Sequence, residues 1–170
     1  MMELSEVIKK RRSVRDYLGR IVEDEKLSEV LEAGRLAPSA SNRQEWRYIV
    51  VKEESTRKKI AEAANNQTFI AKAPVVIVCC ADTDGHTMKC GQKCYPIDCA
   101  ISIDHMTLRA VDLGLATCWI GAFSADKIKK ILNIPENIVV FEILSLGYPA
   151  KSGAPTPRKS LKEIIHYEKW

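Results

Sequence analysis

No long hydrophobic run interrupts this 170-residue sequence. The longest, residues 73–81, is far short of the roughly 20 apolar residues that cross a bilayer, so no membrane partner is expected. The N-terminus carries no basic region followed by an apolar one, so no signal peptide is expected either. No GxGxxG follows a strand pattern, which argues against a stably held Rossmann-type nicotinamide. Ser/His/Asp arrangements and paired carboxylates are also missing. A formal charge of +4 falls short of the dense basic stripe that nucleic-acid binding needs, so nucleic acid is not an expected partner.

What is present suits a single globular domain over residues 1–170: 46% hydrophobic and 28% charged residues, in a chain long enough to bury a sizeable core. Of six cysteines, Cys79, Cys80 and Cys118 fall in apolar strand patterns, where a free thiol behaves as a small hydrophobe. With no secretory context, all six read as mostly reduced thiols in a cytoplasmic protein.

Along the chain, Leu4, Val7 and Ile8 mark a first helix that ends at a basic cluster. Asp24 is the expected cap of a second helix with Leu27, Val30, Leu31 and Leu36 on its apolar face, stopped by Pro38. Residues 48–51 read as a strand. Ser55 is expected to cap a third helix, with Ile60 and Ala64 turned inward and Asn65-Asn66 ending it. The β-branched run at residues 75–81 fits a strand buried on both faces, which requires helices on each side of a sheet. Residues 82–95 read as a long loop, and residues 97–114 as the longest helix, periodic in Ile97, Ile101, Leu108, Val111 and Leu115. Its small Ala100 and Ala110 would let another helix approach closely. A third strand at 116–120, a helix capped by Ser124 and a fourth strand at 139–147 follow. The tail from 151 to 159 has no core of its own, and residues 161–165 give a last helical turn or two.

Two stretches carry the chemistry. In Lys10-Arg11-Arg12-Ser13-Val14-Arg15, three guanidiniums and a hydroxyl leave a helix end together. Guanidinium donors match phosphate oxygens bidentately and stay charged; a solvated basic turn is the plain alternative. In Ala37-Pro38-Ser39-Ala40-Ser41-Asn42-Arg43-Gln44-Glu45-Trp46, Asn42 offers both donor and acceptor, although such a run also suits an Asx-type helix stop.

These two stretches, with Trp119-Ile120-Gly121-Ala122-Phe123, Leu146-Gly147-Tyr148-Pro149 and Pro157-Arg158-Lys159, give the chain a resemblance to the nitroreductase family of flavin enzymes. The blocks occur in the family's order and span nearly the whole sequence. The resemblance implies an α+β sandwich with a central mixed β-sheet flanked by helices on both faces, built as an intertwined homodimer. It implies FMN as cofactor. Arg11, Arg12, Ser13 and Arg158 match positions that hold its phosphate and ribityl chain, and Arg15 the position facing its N1 and O2. Pro38, Ser39, Ser41, Asn42 and Gln44 match the loop that contacts flavin, partly that of the other subunit. Trp119, Ile120, Gly121 and Ala122 match a strand end whose backbone N–H groups face the cofactor. The flavin would carry the chemistry, so no catalytic side chain is expected: NAD(P)H would deliver hydride and a quinone, nitroaromatic or similar electrophile would remove it in a ping-pong cycle.

One departure stands out. Where the family has Gln-Pro-Trp, this chain has Gln44-Glu45-Trp46, which puts a carboxylate beside the pocket or in solvent. The residue 82–95 loop, in place of a longer family insertion, is the candidate substrate cover. Its Cys90 and Cys94, with Cys99 and His86, also leave open a non-catalytic flavin-binding or thiol/metal redox protein. Their spacing is not a usual zinc pattern, and no metal is expected.

Overall fold

The strand Val75–Ala81 (β2) explains the layering, because its side chains alternate between two cores. A computed structural model describes residues 2–151, 153 and 155–170. Every residue of β2 is buried. Val76, Val78 and Cys80 point to one core, with Ile60, Ile70, Ile128 and Ile143. Val75, Ile77 and Cys79 point to the other, with Leu27, Val30, Ile103 and Met106. A strand covered on both faces needs apolar residues at every position, as this one has.

Around it lie Trp46–Val51 (β1), Ala116–Ile120 (β3) and Val139–Gly147 (β4), in the order β1-β2-β4-β3. The expected α+β sandwich is observed. All three strand pairings are antiparallel, and the parallel element expected of a mixed sheet is confined to a bridge between Ser13 and Thr117. The helices Glu54–Ala63 (α3), Phe69–Lys72 (α4) and Ala125–Leu132 (α6) cover the first face; Asp24–Arg35 (α2) and Cys94–Asp112 (α5) cover the second, and Leu4–Lys10 (α1) packs beside α5. Among the described residues, no helix is long and apolar enough to cross a membrane.

Several expected boundaries shift for local reasons. Glu23, not Asp24, occupies the N-cap of α2, and it makes no side-chain cap bond. Leu36 follows the last turn and is exposed. β1 starts two residues early because Trp46 pairs with Ala81. At α3 the cap is Glu53, whose carboxylate accepts the N–H of Ser55; Asn65 and Asn66 then end the helix in the left-handed region. α5 begins at Cys94, inside the expected loop. Its Pro96 is tolerated in the first turn, where N–H groups lack helical partners. It ends at Gly114, whose φ of +74° lets Leu115 N–H reach Ala110 O, a closure that favours glycine.

The buried stripe of α5 also differs from the apolar period. Asp98, Cys99, Ser102, Ile103, Met106, Thr107 and Ala110 face inward, while Ile97 is exposed and Ile101, Leu108 and Val111 are half-buried. The helix that closes on α5 is α2, through Gly34 rather than Ala100: a Cβ there would stand 2.3 Å from Met106 Cε. The family-like Gly147 is tighter against rigid atoms, with a Cβ position 2.5 Å from Pro74 Cδ and 3.0 Å from Tyr17 Cδ1. Gly147→Ala is therefore expected to lower stability by about 1–3 kcal/mol, read as a lower urea midpoint with unchanged m.

Candidate functional site

Past the end of α1 the backbone turns extended at Arg11 (φ −54°, ψ 127°) and runs along the outer edge of β3. Val14 N–H donates to Thr117 O at 2.9 Å, Val14 and Tyr17 plug into a small core with Ala73 and Ala116, and Tyr17 O–H bonds Ser145 Oγ at 2.7 Å. These anchors are why the intervening residues face outward: Ser13 and Arg15 are exposed, and Arg11 and Arg12 half-buried. Arg12 folds back onto the carbonyls of Lys9 and Arg11, which suits a cation at a helix C-terminus. The Arg15 guanidinium lies 5.9 Å from the Phe69 ring centroid. Among the described residues no carboxylate pairs with Arg11 or Arg15.

At the far end of β3 the chain leaves the strand through Gly121 and Ala122, both exposed. Trp119 and Ile120 offer less than expected: Ile120 is buried in the first core, and the Trp119 indole N–H donates to Thr107 Oγ1 at 2.9 Å on α5. Two residues here carried no sequence signal of their own. Gln67 donates to Ala122 O at 3.3 Å, and the Asn65-Asn66-Gln67 polar run was its only mark. Glu142, on β4 next to Gly121, hid within an apolar strand.

The second stretch lies elsewhere. Ser41, Asn42 and Gln44 all have positive φ, from 50° to 56°, which L residues other than Asn seldom adopt. Ala40 N–H donates to the Asp98 carboxylate, Gln44 N–H to Ser39 Oγ at 3.1 Å, and Gln44 Nε2 to Asn42 Oδ1 at 2.9 Å. These bonds fix the loop, with Pro38, Ser41, Asn42 and Gln44 exposed and Ser39 half-buried. This loop leads into β1, at the opposite edge of the sheet from β3. Three strand spacings separate the edges, roughly 14 Å. Ser13 pairs with Thr117 near the start of β3, so one chain sets Arg11, Arg12, Ser13 and Arg15 along the same sheet edge that ends in Gly121 and Ala122, with the Pro38–Gln44 loop at the other edge. Arg158 stands apart too, exposed on the tail, with its guanidinium on Thr156 Oγ1 and Pro157 O.

Glu45 does not face solvent, which corrects that alternative. It is only 4% exposed, and its carboxylate pairs with Arg43 at 3.1 Å, which also holds Asp84 at 2.5 Å. Where proline would leave no side chain to satisfy, glutamate turns inward and ties the loop to residues 82–84, aided by Arg47–Asp82. The cysteines of the residue 82–95 stretch do not act together: Cys90 is exposed, while Cys94 and Cys99 are buried in α5. Desolvation, with Asp98 nearby, pushes Cys99 up to about 12 and raises Cys94 as well. Such thiols supply little of the thiolate that reacts or ligates. Among the described residues no three His, Cys, Asp or Glu side chains converge as a metal site requires.

The cationic row fits a flavin phosphate: among the described residues Arg11 and Arg15 have no carboxylate partner, and the exposed Ser13 hydroxyl lies between them in the chain. Comparison with known proteins agrees with that geometry. A chain from Archaeoglobus fulgidus, provisionally named an NADH dehydrogenase/NAD(P)H nitroreductase, is 36% identical over the whole of both chains. An FMN reductase [NAD(P)H] of Bacillus subtilis is 32% identical over 97% of this chain and 74% of its own. A crystal structure of a nitroreductase family protein from Clostridium difficile superposes with a TM-score of 0.89 at 39% identity, covering all of both chains. The nitroreductase family profile matches residues 8–84 and 61–148, so by sequence and by fold this chain belongs to the nitroreductase family.

Proposed function

We propose that the protein is an NAD(P)H-dependent FMN oxidoreductase that reduces quinones, nitroaromatics or similar electrophiles, working as a cytoplasmic homodimer with its two cofactor sites between the chains. The observation that carries this reading is the row of guanidiniums along the β3 edge, without carboxylate partners at Arg11 and Arg15 among the described residues, on the edge that ends in exposed Gly121 and Ala122. FMN supplies, when bound, the acceptor for the nicotinamide's hydride and the donor to the second substrate. Arg11, Arg12 and Ser13 hold the phosphate and ribityl oxygens, and Arg15 sets a fixed positive charge where negative charge develops on reduction. The FMN reductase name of the Bacillus subtilis relative supports the same cofactor.

The sheet supports a two-chain site. Pro38, Ser39, Ser41, Asn42 and Gln44 lie toward the opposite sheet edge from Arg15 of their own chain, which favours their completing the site of a second copy. Arg158 reaches the cofactor in the same way. Exposed Leu4, Ile8, Leu161, Ile164, Tyr167 and Trp170 give that second copy an apolar surface to cover.

Purified protein supplied with FMN should turn yellow, release FMN rather than FAD on denaturation, and lose its flavin absorbance within seconds of adding NADH or NADPH without oxygen. Absence of FMN binding refutes the reading. Bound flavin that neither nicotinamide bleaches would make the protein a carrier rather than an enzyme.

A further inference from the structure

Glu142 is the one carboxylate that β4 sets between two apolar cores. It faces Cys79 across the β2 pairing. A bulge in that pairing follows, since Cys80 pairs with Val140 and leaves Phe141 unmatched. Both carboxylate oxygens lie 3.7 Å from the position a Cβ would take on Gly121, so the acid fills the space that glycine leaves at the end of β3. Its Oε1 is buried without a hydrogen-bond partner. The residue as a whole is half-buried, but a carboxylate oxygen buried without a partner is costly where an apolar side chain would have none to satisfy.

The surroundings decide its protonation. Desolvation raises Glu142 above the usual carboxylate range; the amides of Ile143 and Ile120 lie near enough to soften that effect without satisfying Oε1. The titratable groups facing it are the thiols of Cys79 on β2 and Cys118 on β3, both raised by burial and therefore neutral. Arg15 acts on Cys118, and among the described residues no cation acts on Glu142. Glu142 is thus left as a proton-binding group behind the backbone that, on the functional reading above, faces the flavin.

We propose that Glu142 is a positioning residue that couples proton uptake to reduction of the bound cofactor. The inference rests on FMN binding at the Arg15 and Gly121 site. Hydride transfer from NAD(P)H brings two electrons and one proton to FMN and leaves NAD(P)⁺. The added negative charge next to Gly121 draws a second proton from water onto the Glu142 carboxylate, forming its O–H bond. Oxidation by the second substrate reverses this, releasing that proton to the substrate or to water. Over the pH span between the acid's protonation points in the two states, two protons then accompany two electrons.

The test is a redox titration of the FMN-loaded protein from about pH 5 to about pH 8, above the ordinary carboxylate range, compared with Glu142→Gln. The amide is isosteric and cannot titrate, so the variant keeps the packing. The wild-type potential should fall by about 59 mV per pH unit inside the coupled span and about 30 mV outside it. Glu142→Gln should hold the smaller slope throughout. Infrared difference spectra should show a protonated-carboxyl band appearing on reduction of wild type and missing from the variant. Identical slopes and spectra in the two proteins overturn the role of Glu142 while leaving the flavin reading standing. A protein that takes up no FMN overturns both.

Discussion

Arg158→Ala is expected to weaken FMN binding by about 1.5–3 kcal/mol, the range for a hydrogen bond to a charged group, or more than tenfold in Kd, with no change in thermal stability. Among the described residues the guanidinium bonds Thr156 and Pro157 of its own turn, and neither contact is an ion pair. Nothing in the protomer's cores depends on it. A loss that appears in flavin affinity alone therefore reports a phosphate contact made across to another chain. Fluorescence quenching of titrated FMN measures the affinity, and a thermal melt of the cofactor-free protein serves as control. An unchanged Kd would mean that the tail stays away from the phosphate.

Arg15→Gln separates anchoring from electronic control. Tyr17 and Val14 hold the backbone on either side, so the guanidinium can be removed without disturbing the strand edge. If its charge favours reduced over oxidised FMN, the variant binds the oxidised form tolerably and its two-electron potential falls. A loss of about 1.4 kcal/mol from the reduced state alone corresponds to about 30 mV. Hydride uptake from NAD(P)H should slow with the lost driving force. If Arg15 only grips phosphate, both redox states weaken equally and the potential stays put. Potential and affinity, each measured in both states, distinguish these outcomes.

The layers and most elements were legible because β2 is apolar at every position and because Pro38, Asn65-Asn66 and Gly121 punctuate the chain. What escaped was short or context-dependent. α4 is a single turn and shows no period. The inner face of α5 is misread from apolar spacing because Asp98, Ser102 and Thr107 are buried and bonded there, a choice only tertiary partners decide. In the site, Arg11, Arg12, Ser13 and Arg15 announced themselves by charge density. Gln67 and Glu142 did not, since each matters through a neighbour far along the chain. Glu45 showed that it was unusual but not where it pointed, because its partners, Arg43 and then Asp84, meet only after β1 and β2 pair.

The placement of the two half-sites on opposite sheet edges carries a consequence for inheritance of defects. If each pocket draws its cationic row from one chain and its Ser39–Asn42 loop from the other, a lesion in the row and a lesion in the loop are not equivalent when they sit on different chains. A mixed dimer of two such chains collects both lesions in one pocket and leaves the other whole. Random pairing of two individually dead chains makes about half the dimers mixed, so about a quarter of all pockets return to work. Two copies of either damaged chain alone restore nothing.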